Sequence, residues 1–121
     1  MSDAAVTIVS EMVFPVQTNH HGTLFAGEAL KMMTKAAFVA ASRDTHELVV
    51  MASVDRTDFR KPVPQGTLAE VIARVVERGT SSIVVETELF SENFRTGTRE
   101  SCVTGRFTMV TVGPDGRPTP R

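Results

Sequence analysis

Residues 19–38, NHHGTLFAGEALKMMTKAAF, run from a polar loop straight into an almost wholly apolar helix. Asn19, His20 and His21 open the stretch, and Gly22 and Gly27 let it turn. From Gly27 to Arg43 the chain is rich in Ala, Leu, Met and Lys, all good helix formers. Its polar residues before the last turn, Glu28, Lys31, Thr34, Lys35 and Ser42, fall in one sector at about 100° per residue, with Thr34 at the edge. The spacing therefore predicts a helix over 27–43 that is buried round most of its circumference. A sheet bent around a single helix meets that demand.

The flanking sequence supplies such a sheet. Residues 5–15, AVTIVSEMVFP, predict a strand stopped by Pro15, and 16–26 a loop. Residues 48–59 predict a strand ended by RKPVPQG. In 67–78, Ala69, Val71, Ala73 and Val75 alternate with Glu70 and Arg74, which favours strand over helix. After a hairpin turn at RGTSS, Ile83, Val85 and Leu89 share one face and Glu86, Glu88 and Glu92 the other. In the last strand, within 99–112, Val103, Phe107 and Met109 share a face with Gly105, where a backbone can approach the helix closely. The order is strand, long helix, four strands: an α+β chain with one bent antiparallel sheet. One domain spans 1–121, its core about 8–112, with a mobile tail expected over 113–121.

Composition narrows the partners. The 121 residues carry 13 basic and 14 acidic side chains, a net charge of -1, so nothing favours nucleic acid. No apolar run is long enough to span a bilayer, and the first residues lack a basic n-region and apolar h-region. With Cys102 as the single cysteine, no internal disulfide can form; a reducing cytoplasm is the expected setting and a small buried side chain the expected role. His20 and His21 are adjacent, so in extended chain they point opposite ways, and no third ligand stands nearby; no metal site is expected.

The loop and helix resemble the signature of the hot-dog acyl-CoA thioesterases: Asn, two variable residues, Gly, two variable residues, Phe, Gly or Ala, then Gly. Asn19, Gly22, Phe25, Ala26 and Gly27 fill it. DFRKPVPQG matches the family's Phe-x-x-Pro-Val-x-x-Gly through Phe59, Pro62, Val63 and Gly66, and RGTSS its Gly-Thr-Ser-Ser hairpin through Gly79, Thr80, Ser81 and Ser82. The three motifs come in order across roughly residues 8–117. The resemblance implies a hot-dog fold, acyl-CoA as substrate, coenzyme A as its carrier rather than a cofactor, and a homodimer at least, or a trimer of dimers. It also implies sites between subunits, with strand 48–57 at or near the interface.

It implies roles as well. Ala26 and Gly27, at the positive end of the helix, offer backbone N–H groups to an oxyanion. Asn19 offers both a donor and an acceptor to a water or a thioester carbonyl, and Phe25 lines the same turn. Relatives of this type carry an Asp on the helix fifteen positions after the loop Asn; here that position is Thr34, and others place the acid where this chain has Asn19. Thr34 can only hydrogen-bond, to a water, a carbonyl or its own helix at Leu30. The remaining candidate bases are Glu28, which lies where it can pair with Lys31, Asp55 presented by a partner, and His20 or His21. Arg60, Lys61, Arg78, Arg106 and the Thr80–Ser82 turn are candidate contacts for coenzyme A phosphates. The first expectation is hydrolysis of acyl-CoA; the second is acyl-CoA binding without turnover. Hot-dog dehydratases need a His or an Asp–His pair on the helix, and 27–43 contain neither.

Overall fold

The computed structural model describes residues 6–120. Its elements are β1 (Val6–Met12), a 3-10 turn (Pro15–Gln17), α1 (Ala26–Thr45), β2 (Val49–Phe59), β3 (Leu68–Arg78), β4 (Ser82–Glu92) and β5 (Arg99–Thr111). All pairings are antiparallel in one sheet ordered β1-β3-β4-β5-β2, so β1 and β2 are its edges. One long helix against a five-stranded antiparallel sheet is the hot-dog arrangement expected.

The alternation read from the sequence sets the sheet's inner face. Ala69, Val71, Ala73 and Val75 of β3, Ile83, Val85 and Leu89 of β4, and Val103, Phe107 and Met109 of β5 are all buried toward α1. The helix answers with Ala29, Met32, Met33, Ala36, Ala37, Ala40 and Ala41, a stripe at i, i+3, i+4 spacing. Five alanines in that stripe let the helix settle close to the sheet. At Gly105 a Cβ would stand 2.9 Å from Met33 Cε and 3.2 Å from the Phe107 ring, so the missing side chain is what admits Met33.

Two expectations need correction. The helix is buried on one stripe only: Phe38 is 47% exposed, and Leu30 and Val39 are half-buried. One chain's sheet bends round one side of the cylinder and leaves the other apolar side uncovered. β1 ends at Met12 rather than near Pro15, because Pro15 starts the 3-10 turn and the Phe14 N–H is taken by Gln17 Oε1 at 3.0 Å. In the C-terminal tail, of which residue 121 lies outside the described residues, Gly113 N–H donates to Arg117 O, Thr119 N–H to Thr111 O, and Val112 bridges Pro118.

The helix runs slightly past its expected limits at both ends. It stops at His46, held in the left-handed region at φ 56° with its N–H on Ser42 O at 2.8 Å. No helix among the described residues is long and apolar enough to cross a membrane.

Candidate active site

The loop before α1 is held from within and from outside. Asn19 Oδ1 accepts from His21 N–H (2.9 Å), Thr23 N–H (3.2 Å) and the Thr23 hydroxyl (3.2 Å). Gly22, at φ 75°, closes the turn with its N–H on Asn19 O. Outside it, Leu24 N–H donates to Val63 O and Gln65 N–H to Gly22 O, which ties the loop to the segment after β2.

That bonding narrows Asn19. Three donors fix which end of the carboxamide is oxygen and use up its acceptor capacity, so what remains to offer is Nδ2, a donor without a partner among the described residues. The sequence left both roles open. Beside it, α1 starts with Phe25 as N-cap and no side-chain cap. Glu28 and Ala29 N–H return to Phe25 O, whereas Ala26 and Gly27 N–H have no partner among the described residues. Asn19, Ala26, Phe59, Arg60 and Lys61 line one cavity of ≈ 260 Å³, floored by Leu24, Ala29, Val63 and Val103. Residues from two of the three motifs thus meet at one place.

Arg60 and Lys61 at its rim are not free cations. Arg60 donates to Ser101 Oγ at 2.5 Å and lies 3.9 Å from Glu88; Lys61 bonds Glu100 at 2.9 Å. That hydrogen bond, and then Glu100's charge, hold the Lys61 ammonium above its usual pKa. Arg78 forks onto Asp44 at 2.5 and 2.9 Å, which raises its pKa in turn, and Arg106 pairs with Glu86 and Glu77. Arg78 precedes the Thr80–Ser82 turn, which therefore lies by the C-terminal end of α1. The helix is 20 residues, about 30 Å. So Thr80, Ser81 and Ser82 do not meet the Asn19 cavity in one chain, and Ser81 O is already taken by Thr111 N–H.

Thr34 is elsewhere too. It lines a second, apolar cavity of ≈ 430 Å³ with Lys35, Phe38, Val39, Met51 and Met109. Its hydroxyl donates to Lys31 O at 3.0 Å, not to Leu30 as expected. Glu28 makes no ion pair with Lys31 among the described residues; it sits in the first turn, where the helix dipole favours a carboxylate. Asp55 lies on an exposed part of β2, accepting from Ser53 and Thr108 hydroxyls at 2.9 Å each. His20 and His21 do not point apart: the turn brings their rings to 4.0 Å. Among the described residues, no three His, Cys, Asp or Glu side chains gather as a metal site. Met51, missed in the sequence, stood out only as a strand residue and gained meaning by facing Thr34.

Comparison with known proteins accounts for this arrangement. A family model for the thioesterase superfamily matches residues 21–98, from the loop through β4. The chain belongs to the thioesterase superfamily. An acyl-CoA thioester hydrolase of Bacillus subtilis, itself uncharacterized, is 34% identical over 93% of this chain and 66% of its own. The chain thus spans just under two thirds of that relative's length. An acyl-CoA hydrolase from Agrobacterium tumefaciens is 47% identical, TM-score 0.88, over 96% of this chain and 45% of that one. The acyl-CoA hydrolase of Staphylococcus aureus, solved with butyryl coenzyme A and coenzyme A, is 29% identical, TM-score 0.89, over 95% of this chain and 70% of that one. It has also been solved with an asparagine, an aspartate and a threonine each changed to alanine, the aspartate fifteen positions and the threonine thirty-two after the asparagine.

Proposed function

We propose that this chain is an acyl-CoA thioester hydrolase unit that holds the thioester carbonyl at the start of α1. The observation that carries it is the pair of unpartnered N–H groups on Ala26 and Gly27 at the helix start, with Ala26 lining the same cavity as Asn19. With Asn19 Nδ2 they give up to three donors for one oxygen. In the reaction a water oxygen attacks the thioester carbon and loses a proton to a base. The carbonyl electron pair moves onto the oxygen those donors hold. Its return breaks the C–S bond, and the coenzyme A thiolate leaves and takes up a proton. Arg60 and Lys61 stand where the nucleotide's phosphates would compete with Glu88 and Glu100 for them.

The site needs a second subunit. Gly27 and Thr34 share a helix face but lie about 10 Å apart along the axis, too far to serve one carbonyl. A two-fold axis crossing α1 near residues 30 and 31 lays Gly27 of one copy beside Thr34 of the other. It also brings the other copy's Thr80–Ser82 turn toward the first copy's loop, and it covers Phe38 and β2. We infer a dimer, or a multiple of one, as the assembly that completes the site.

The separations in the Staphylococcus aureus hydrolase, carried onto this chain from Asn19, fall on Thr34 and Met51. The two line one cavity, and neither cavity is lined by a carboxylate. That favours a second reading, acyl-CoA binding with little turnover. Hydrolysis of an acyl-CoA panel by the parent and by Thr34→Asp separates the two. General-base assistance is worth roughly 10²–10⁴, so Thr34→Asp should raise kcat at pH 7 by about tenfold or more and add a limb to the pH profile. A fast parent slowed by Thr34→Asp would move the base to Glu28, Asp55 of the partner subunit, His20 or His21. Binding with no hydrolysis by either would leave the binding reading.

A further inference from the structure

The two halves of this site are unequal. The loop half is complete: Asn19 is oriented by three donors, and Ala26 and Gly27 present free N–H groups. The helix half is not. The Thr34 hydroxyl is turned to Lys31 O, Met51 opposite it offers a thioether, and Phe38, Val39 and Met109 complete an apolar lining. Neither Thr34 nor Met51 can take a proton from water at neutral pH. Two identical copies would put the same threonine and methionine in both sites, so self-association places no carboxylate at the Thr34 position.

We propose, resting on the thioesterase reading above, that this chain's productive partner is a second, non-identical hot-dog unit whose helix carries a carboxylate at the position Thr34 holds here. This chain supplies the carbonyl-binding loop, and the partner supplies the base that deprotonates the attacking water. The docking face is the outward side of α1 with β2. Phe38, Val50 and Val54 there are 47%, 48% and 46% exposed, and the face is continuous with the defective cavity. The Agrobacterium tumefaciens hydrolase offers a precedent in scale: the stretch resembling this chain is 45% of its length, so more than a second unit's worth of chain accompanies it.

The test is complementation between two differently tagged forms. One is the unchanged chain. The other carries Thr34→Asp, Met51→Thr and Asn19→Ala, so it has the helix half and lacks the loop donor. Recovery of the mixed species through both tags shows that the variant folds and pairs; Thr34→Asp with Asn19→Ala stands in if the triple variant is not recovered. Thiol release from butyryl-CoA is followed at pH 7. The expected result is slow turnover by each form alone and at least tenfold more by the mixed species. A mixed species no faster than the mean of its parents, or an unchanged chain as fast alone as when mixed, overturns the proposal. In either case coenzyme A still binding the unchanged chain by calorimetry leaves the thioesterase reading standing, and coenzyme A failing to bind removes both.

Discussion

Replacing Asn19 by Asp and by Ala separates what its oxygen does from what its nitrogen does. Asn19 Oδ1 accepts three hydrogen bonds that hold the loop, at 2.9, 3.2 and 3.2 Å. Asp keeps an acceptor for all three and, as an anion, strengthens them; Ala removes all three. At about 0.5–1.5 kcal/mol for each half-exposed bond, with the two longer ones at the low end, Ala should cost about 1.5–2.5 kcal/mol. For a domain of this size about 1 kcal/mol moves Tm by roughly 4 °C, so Asn19→Ala should melt about 6–10 °C lower and Asn19→Asp within about 2 °C of the parent. Activity should fall in both, because both lose the Nδ2 donor; one oxyanion donor is worth roughly 10²–10³ in rate. Calorimetry and thiol release in the more active Thr34→Asp background measure the two effects. Turnover raised by Asn19→Asp would refute the reasoning, since it would place an oxygen rather than Nδ2 against the thioester.

Gly105→Ala should destabilise by about 1–3 kcal/mol, because its Cβ enters the space of Met33 Cε and the Phe107 ring, both fully buried; an unchanged denaturant midpoint would show that Met33 reroutes freely. His46→Gly should stabilise by about 0.5–1 kcal/mol by relieving the left-handed backbone at the end of α1, read as a raised Tm. Phe38→Lys should leave the circular dichroism spectrum intact and shift sedimentation toward monomer; an unaltered sedimentation coefficient would move the interface off this helix face.

Where a local period decides structure, the sequence was legible. Alternation in β3 and β4 named the buried residues, and the one glycine in β5 that meets the helix was visible from its face. β2 was legible as a strand but not by its faces. Its register breaks between Met51 and Ser53 and between Val54 and Thr57, and residues 52–56 are exposed on both sides. Alternation fails there because the two breaks disturb the pleat and no described residue of this chain covers either side. The site was legible as motifs and not as partnerships: nothing local ties Arg60 to Glu88 and Ser101 or Lys61 to Glu100, brought together by pairing of distant strands, or Thr34 to Met51, brought together by packing of α1 on the sheet. Asn19's commitment to Thr23 depends on the φ 75° that Gly22 adopts, which the spacing alone does not fix.

The strand order leaves two open edges that differ in how they resist unwanted growth. β2 carries Asp55, Arg56 and Asp58 beside two register breaks, so a foreign strand laid along it would have to desolvate charge and follow a kinked template. β1 has no such guard: Val6, Ile8 and Met12 stand exposed on its outer side, followed at once by Phe14 and Val16. Among the described residues, what limits that edge is Pro15, which opens the 3-10 turn soon after Met12, rather than charge. Extending that strand, for example through Pro15→Val, turns the quieter of the two edges into the one along which chains would stack.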